Sequence, residues 1–242
     1  MIKGIYHAAA GMIPRESQLE AVSNNLANAN TTAHKTDRRL FRTTLNNQLL
    51  QGGPFGTEQT LPPELYYLQT NFEQGSLEKT DNPLDLAITG NGFFAVETDE
   101  GTFYTRNGNF KLNQDNELVT NQGYRVLGES NPIQVNGNDV VIRESGEVIV
   151  DGVVVDTIQI VDFDDKEQLH RNSYGLFVPD DEQQNQPAQD FRIMQGFIEK
   201  SNVNVVRNMV QMIELQRIYE TLQKSIITQD ETLRLAVNEI AK

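Results

Sequence analysis

The strongest constraint on this chain is an apolar repeat of seven at each of its ends. Val205, Met212, Tyr219, Ile226, Leu233 and Ile240 fall seven apart without interruption, and Met209, Leu215, Leu222 and Val237 fill much of the neighbouring row. Ile5, Met12, Leu19 and Leu26 repeat at the same interval near the N-terminus, with Ala8, Val22 and Ala29 three residues on. A heptad of apolar side chains is the pattern of helices that pack along a shared seam, because it keeps one stripe turned to a partner. The pattern predicts that the termini pack on each other or on neighbouring copies. Four residues on from the C-terminal row stand Gln216, Gln223 and Asp230. An isolated two-stranded coil favours apolar side chains there, so the polar positions point to a helix with several neighbours. Pattern alone leaves open two ordinary amphipathic helices packed on one domain. It favours an assembly protein over an enzyme.

Charge supports that reading through its distribution. The chain of 242 residues carries a formal net charge of -14. Residues 1–42 hold six Lys/Arg against three Asp/Glu, and residues 200–242 hold six against five, so the acidic excess lies wholly in the middle. Near-neutral ends can crowd against many copies, whereas an acidic middle belongs in solvent. The same field disfavours nucleic acid, which needs a basic footprint. A chain of this size and 38% hydrophobic content can bury a real core. It has no apolar run near the roughly 18 residues that span a bilayer, so membrane insertion is not expected. The stretch from Ile5 to Ile13 holds His7 and Gly11 and keeps its heptad phase past Pro14, which speaks against a cleaved signal peptide. Cysteine is absent, which excludes disulfides and thiolate metal sites. That absence suits a chain threaded unfolded through an export channel.

Four regions follow. Residues 1–42 form an N-terminal helical segment, in which Pro14 predicts a kink or break near Ile13. The Asn- and Thr-rich run from Asn24 to Thr32 ends that helix, because these side chains compete for the backbone. Residues 43–83 lack a sustained period and read as an extended linker arm, with a short apolar patch at Leu65 to Leu68. From residue 84 the period changes to two, and turn residues recur every eight to twelve positions, which predicts an antiparallel β domain over 84–199. Ser201 and Asn202 then cap a long helix within 200–242. The fold class is therefore mixed α and β. An antiparallel all-β central domain of meander or barrel type lies between long N- and C-terminal helices that pair as coiled-coil-like segments.

No motif along the chain carries catalytic chemistry. Gly90-x-Gly92-x-x-Ala95 resembles a dinucleotide fingerprint, but a phosphate-binding turn needs a helix after it, and Phe93, Phe94 and Val96 continue as strand. A tight turn is the better reading. Asp162, Asp164 and Asp165, and likewise Asp180, Asp181 and Glu182, lack the frame of a calcium loop and read as solvated loops. His7, His34 and His170 have no metal-ligand spacing. No serine stands in a nucleophile-elbow frame. No cofactor or metal is expected.

Three sets of residues stand out together. The N-terminal set is Ser23-Asn24-Asn25-Leu26-Ala27-Asn28, with Thr32 and Lys35. The C-terminal set is Ser201-Asn202-Val203-Asn204-Val205-Val206, then Met209-Val210, Met212-Ile213, Gln216-Arg217 and Tyr219-Glu220. Between them stand Leu84-Asp85-Leu86-Ala87-Ile88, Gly90, Gly92, Phe93, Phe94, Tyr104-Thr105-Arg106, Gly108, Phe110, Leu118-Val119-Thr120 and Gly123. These segments resemble the N-terminal signature, the C-terminal signature and the first β segment of bacterial flagellar axial proteins, the rod and hook family. The likeness covers both ends and the β domain in the family's order.

This resemblance implies a structural subunit of the basal-body rod that stacks helically to carry torque from motor to hook. It also implies export by the flagellar type III apparatus, and partners that are copies of itself and other rod and hook proteins. The implied assembly interface comprises Ile5, Met12, Leu19, Val22, Asn25, Leu26 and Asn28 at one end. At the other it comprises Val205, Met209, Met212, Tyr219, Leu222, Ile226, Leu233, Val237 and Ile240. Gly128, Pro132, Ile133 and Val135 look more like a proximal-rod member, and the C-terminal helix more like a distal one. A hook-type axial subunit, a peptidoglycan-acting enzyme and a soluble adaptor are the rival readings. Two positions depart from the family pattern. Ala33 and His34 stand where a glycine and an aromatic are usual, and Glu117 stands where glycine is common, leaving Asn116 to take a left-handed turn.

Overall fold

A computed structural model describes residues 2–42, 65–137, 139–172, 174–179 and 185–240, and these form two units. The first unit gathers residues 1–27, 37–71 and 204–242. Its helix α1 spans Ile2–Ala27 and α2 spans Val205–Ile240, about 54 Å of helix at 1.5 Å per residue. The helices pack on each other, and strand β1 (Asp37–Arg42) pairs antiparallel with β2 (Leu65–Thr70) beside α1. The break expected at Pro14 does not occur, since α1 runs unbroken through it. One lost backbone bond is offset because the apolar stripe continues on both sides: Ala8 and Val22 are buried and Met12 and Leu19 half-buried.

The cap of α2 also differs from the sequence reading. Asn204 caps the helix, its Oδ1 accepting from the Arg207 N–H at 3.0 Å. Asn202 is committed elsewhere, to backbone and hydroxyl groups of the second unit.

The second unit comprises residues 28–36 and 72–203, and every strand pairing in it is antiparallel. Strand β3 (Leu77–Lys79) is followed by β4 (Leu86–Gly90), β5 (Phe93–Thr98), β6 (Gly101–Thr105), β7 (Phe110–Leu112), β8 (Leu118–Thr120) and β9 (Arg125–Val126). A separate three-stranded sheet is made of β10 (Val140–Ile142), β11 (Glu147–Val150) and β12 (Val153–Thr157). Then come β13 (Ile160–Asp162), β14 (Leu169–Arg171), β15 (Phe177–Pro179), β16 (Gln186–Pro187), β17 (Phe191–Gln195) and β18 (Phe197–Glu199). The largest sheet runs β14-β15-β6-β5-β9-β8-β7, while β17 pairs with β4 and β18 with β3. These sheets are open at their edges, so the barrel alternative does not hold among the described residues; several short ladders replace one closed sheet.

The run Phe93-Phe94-Ala95-Val96 explains how two cores share one strand. Side chains alternate across a strand, so Phe94 and Val96 enter one core with Leu86, Ile88 and Phe110. Phe93 and Ala95 enter the other with Tyr104, Phe163 and Phe177. A strand buried on both faces reads as an unbroken apolar run. Gly90 and Gly92 take φ of 96° and 121° in the turn that leads into β5, the tight turn expected there.

Candidate assembly interface

In the helical unit many of the less exposed residues recur at steps of three, four or seven. Along α2 these are Asn208, Met212, Leu215, Tyr219, Leu222, Ile226 and Leu233, of which Asn208 and Leu215 are buried and the others half-buried. The matching row on α1 is Ala8, Met12, Leu19, Val22 and Leu26. A Cβ built at Gly11 would stand 3.7 Å from Leu222, so glycine permits that close approach without being strictly required. The less exposed residues of α2 thus follow the unbroken heptad row and, over Asn208, Leu215 and Leu222, the row three residues on. Gln216, Gln223 and Asp230 lie off it and are exposed, so they are no breaks in the seam.

Met209 and Val205 stand in the heptad pattern of the sequence, yet they are 47% and 37% exposed. Ile5, Val237 and Ile240 lie on the helices, but their side chains fall outside the described residues. Sequence reasoning missed the opposite face of α2. Val206, Val210 and Ile213 are spaced four and three apart, about half a turn from the seam, and all are at least half exposed. Ile218, Ile227 and Leu235 are exposed further along. A helix apolar on more than one side has more than one partner. The i, i+4, i+7 spacing of Val206, Val210 and Ile213 was the signal that could have found it.

Of the motif asparagines, Asn25 and Asn28 make hydrogen bonds within the chain. Asn25 is 2% exposed; its Nδ2 donates to the Asp37 carbonyl at 2.8 Å and its Oδ1 accepts from the Asp37 N–H at 2.9 Å. It therefore pins the end of α1 to the start of β1. Asn28, in the second unit, accepts from the Thr31 N–H and hydroxyl, both at 3.1 Å, and so shapes the turn after α1.

The β unit holds a buried ionic cluster. Lys35 Nζ lies 2.6 Å from Glu199 Oε1, with side chains 1% and 0% exposed, and Arg106 approaches the other carboxylate oxygen at 4.0 Å. Burial pushes Lys35 below its usual range, and the Glu199 carboxylate opposes that push. Burial likewise lowers Arg106, which donates to the Gly90 carbonyl at 2.8 Å and lies over the Phe93 ring. His34 is buried beside Arg171, whose guanidinium reaches its Nδ1 at 3.4 Å. Burial first and the Arg171 charge second lower His34 to about 4, so the ring is neutral near pH 7. Ala33 adopts φ of 55° where the family pattern favours glycine, and Asn116 adopts φ of 59° one residue before Glu117, the position where glycine is common.

The acidic residues 162–165 are internally committed. Asp162 pairs with Lys166 at 3.1 Å, Asp164 accepts from Gln186 and Asp165 caps the 3-10 turn at residues 166–168. Residues 180–182, the second acidic cluster, lie outside the described residues.

Comparison with known proteins matches three stretches of the chain to family models. Residues 5–35 match the flagella basal body rod protein family, residues 87–150 the D1 domain of flagellar hook proteins FlgE/F/G, and residues 194–239 the C-terminal region of the flagellar basal body rod FlgEFG proteins. The flagellar basal-body rod protein FlgG of Borreliella burgdorferi is 33% identical over 98% of each chain. The flagellar basal-body rod protein FlgF of Caulobacter vibrioides is 32% identical over 100% of this chain and 99% of its own. The flagellar hook-basal body complex protein FlhO of Bacillus subtilis is 31% identical over the full length of both.

Proposed function

The chain belongs to the flagellar basal-body rod protein family, and from that premise we propose how it assembles: α1 and α2 pair as a coiled-coil-like layer whose outward face binds neighbouring subunits. It is a structural subunit of the rod, the drive shaft of the flagellum, and not an enzyme. Its place is the basal body, and its partners belong to the rod and hook family. No helix among the described residues is long and apolar enough to cross a membrane.

The observation that carries the assembly reading is the second apolar face of α2. Val206, Val210 and Ile213 stay exposed although the seam toward α1 is already filled. Exposed aliphatic side chains in a contiguous row are costly in solvent, at about 25 cal/mol per Å², and their burial between subunits supplies the driving force. The interface is therefore the outward face together with the seam residues Met12, Leu19, Val22, Leu26, Met212, Tyr219, Leu222, Ile226 and Leu233, which hold that face in place. Val205 and Met209 join the outward face. Ile5, Val237 and Ile240 extend the heptad at the helix ends. Export proceeds through the flagellar type III apparatus, and a chain without cysteine enters that route with no disulfide to form.

The test is a paired substitution, Val210→Asp with Ile213→Asp. Both positions are already in water, so the isolated protein keeps its helical signal and its β-unit melting temperature. Cells making it lose motility and accumulate no complete rods. Normal swimming and normal rods would overturn the outward face as the interface.

A further inference from the structure

The chain passes between its two units four times, at 27/28, 36/37, 71/72 and 203/204. Within the β unit, the three segments that carry these crossings are tied to one another at a single buried ion pair. Lys35 Nζ donates to Glu199 Oε1 at 2.6 Å and to the Glu73 carbonyl at 2.9 Å. The Gly75 N–H donates to the same Glu199 oxygen at 2.8 Å. Asn202 Oδ1 accepts from the N–H and hydroxyl of Thr36 at 2.8 and 2.6 Å, and its Nδ2 donates to the Glu73 carbonyl at 2.9 Å. Backbone bonds complete the knot: Ala33 N–H to the Glu199 carbonyl, Asn202 N–H to the His34 carbonyl and Lys200 N–H to the Ser76 carbonyl. A Cβ at Gly75 would run into the Lys200 carbonyl, so only glycine lets these segments lie this close.

Stability alone does not account for an ion pair in this place. A buried pair is often no better for folding than apolar residues of the same volume, because desolvation offsets the attraction. What it adds is direction. Apolar contact lets surfaces slide, whereas charged hydrogen bonds to fixed partners do not. We propose that Lys35, Glu199 and Asn202 are positioning residues of the shaft: they anchor every chain crossing on the β unit, so that load passing along the chain enters that unit at one fixed point. This rests on the reading of the chain as a shaft subunit.

Backbone hydrogen exchange on the full chain, combined with swimming under viscous load, tests it. The variants are the apolar pair Lys35→Met with Glu199→Leu, and the single change Asn202→Ala. Each speeds exchange in all three segments, around residues 33–36, 74–76 and 199–202, by at least about tenfold, while β5 keeps its protection. Cells carrying them build rods, and their speed falls more steeply with viscosity than in the wild type. Unchanged exchange, acceleration confined to the substituted segment, or a wild-type viscosity curve overturns the anchor. Should the apolar pair melt the whole β unit, Asn202→Ala decides, because it leaves no charge buried alone. Deleting the chain separates the two ideas: rods that persist without it overturn the shaft reading, whereas rods lost on deletion with variants that behave as wild type overturn the anchor only.

Discussion

At the scale of single residues, Ala33-His34-Lys35 is a short buried stretch that carries a left-handed residue, a neutral imidazole and an ion-paired amine. Lys35→Met alone strands the Glu199 carboxylate without its nearest cation and costs about 3–5 kcal/mol, read as a fall in the urea midpoint. His34 gives a pH signature whose sign follows from its environment. Its folded value of about 4 lies below the ordinary 6.5, so between those values the unfolded chain holds a proton that the folded chain refuses. Stability is full above pH 6.5 and declines as pH falls toward 4. His34→Phe flattens that slope between pH 7 and 5, and an unchanged slope would show that another group governs it. Ala33→Gly relieves a left-handed alanine and raises stability by about 1 kcal/mol, seen as a higher melting temperature. The left-handed turn at Asn116 was legible from Glu117, which stands where glycine is common; that at Ala33 was not, because alanine resists positive φ. The partner of Lys35 was not, because Glu199 lies 164 positions away and no local pattern links them.

At the scale of elements, periodicity located the helices and the β region but not which helix face does what. A heptad written on one strip of sequence fixes one row; whether the second row lies three or four residues on depends on the packing, and in α2 the less exposed positions Asn208, Leu215 and Leu222 lie three on. That choice moves Gln216, Gln223 and Asp230 into solvent and leaves Met209 exposed. Pro14 misled for a related reason: a local penalty of about 3 kcal/mol is outweighed when packing on both sides holds the helix in register. The run Phe93-Phe94-Ala95-Val96 was readable as strand, but its service to two cores needed the sheets in place. The seam and the outward face predict different defects. Tyr219→Asp with Ile226→Asp puts charge into the α1–α2 seam, costs about 2–3 kcal/mol per site and lowers the helical signal of the free protein, while the β unit melts as before. Retained helicity would mean that these rows do not hold the helices together.

At the scale of the whole molecule, charge and apolar surface divide the labour along the sequence. The near-neutral ends carry the helices, and the middle carries the acidic excess. Like charges repel at short spacing, so the acidic residues are kept from the crowded contacts while the ends can pack against many neighbours. The chain belongs to the flagellar basal-body rod family, and in the assembly proposed above the near-neutral ends make the contacts between subunits. The most direct measurement is electron microscopy of basal bodies from cells lacking this chain. Rods that stop short, with no hook beyond the stopping point, are the predicted result; complete rods carrying hooks would contradict the account.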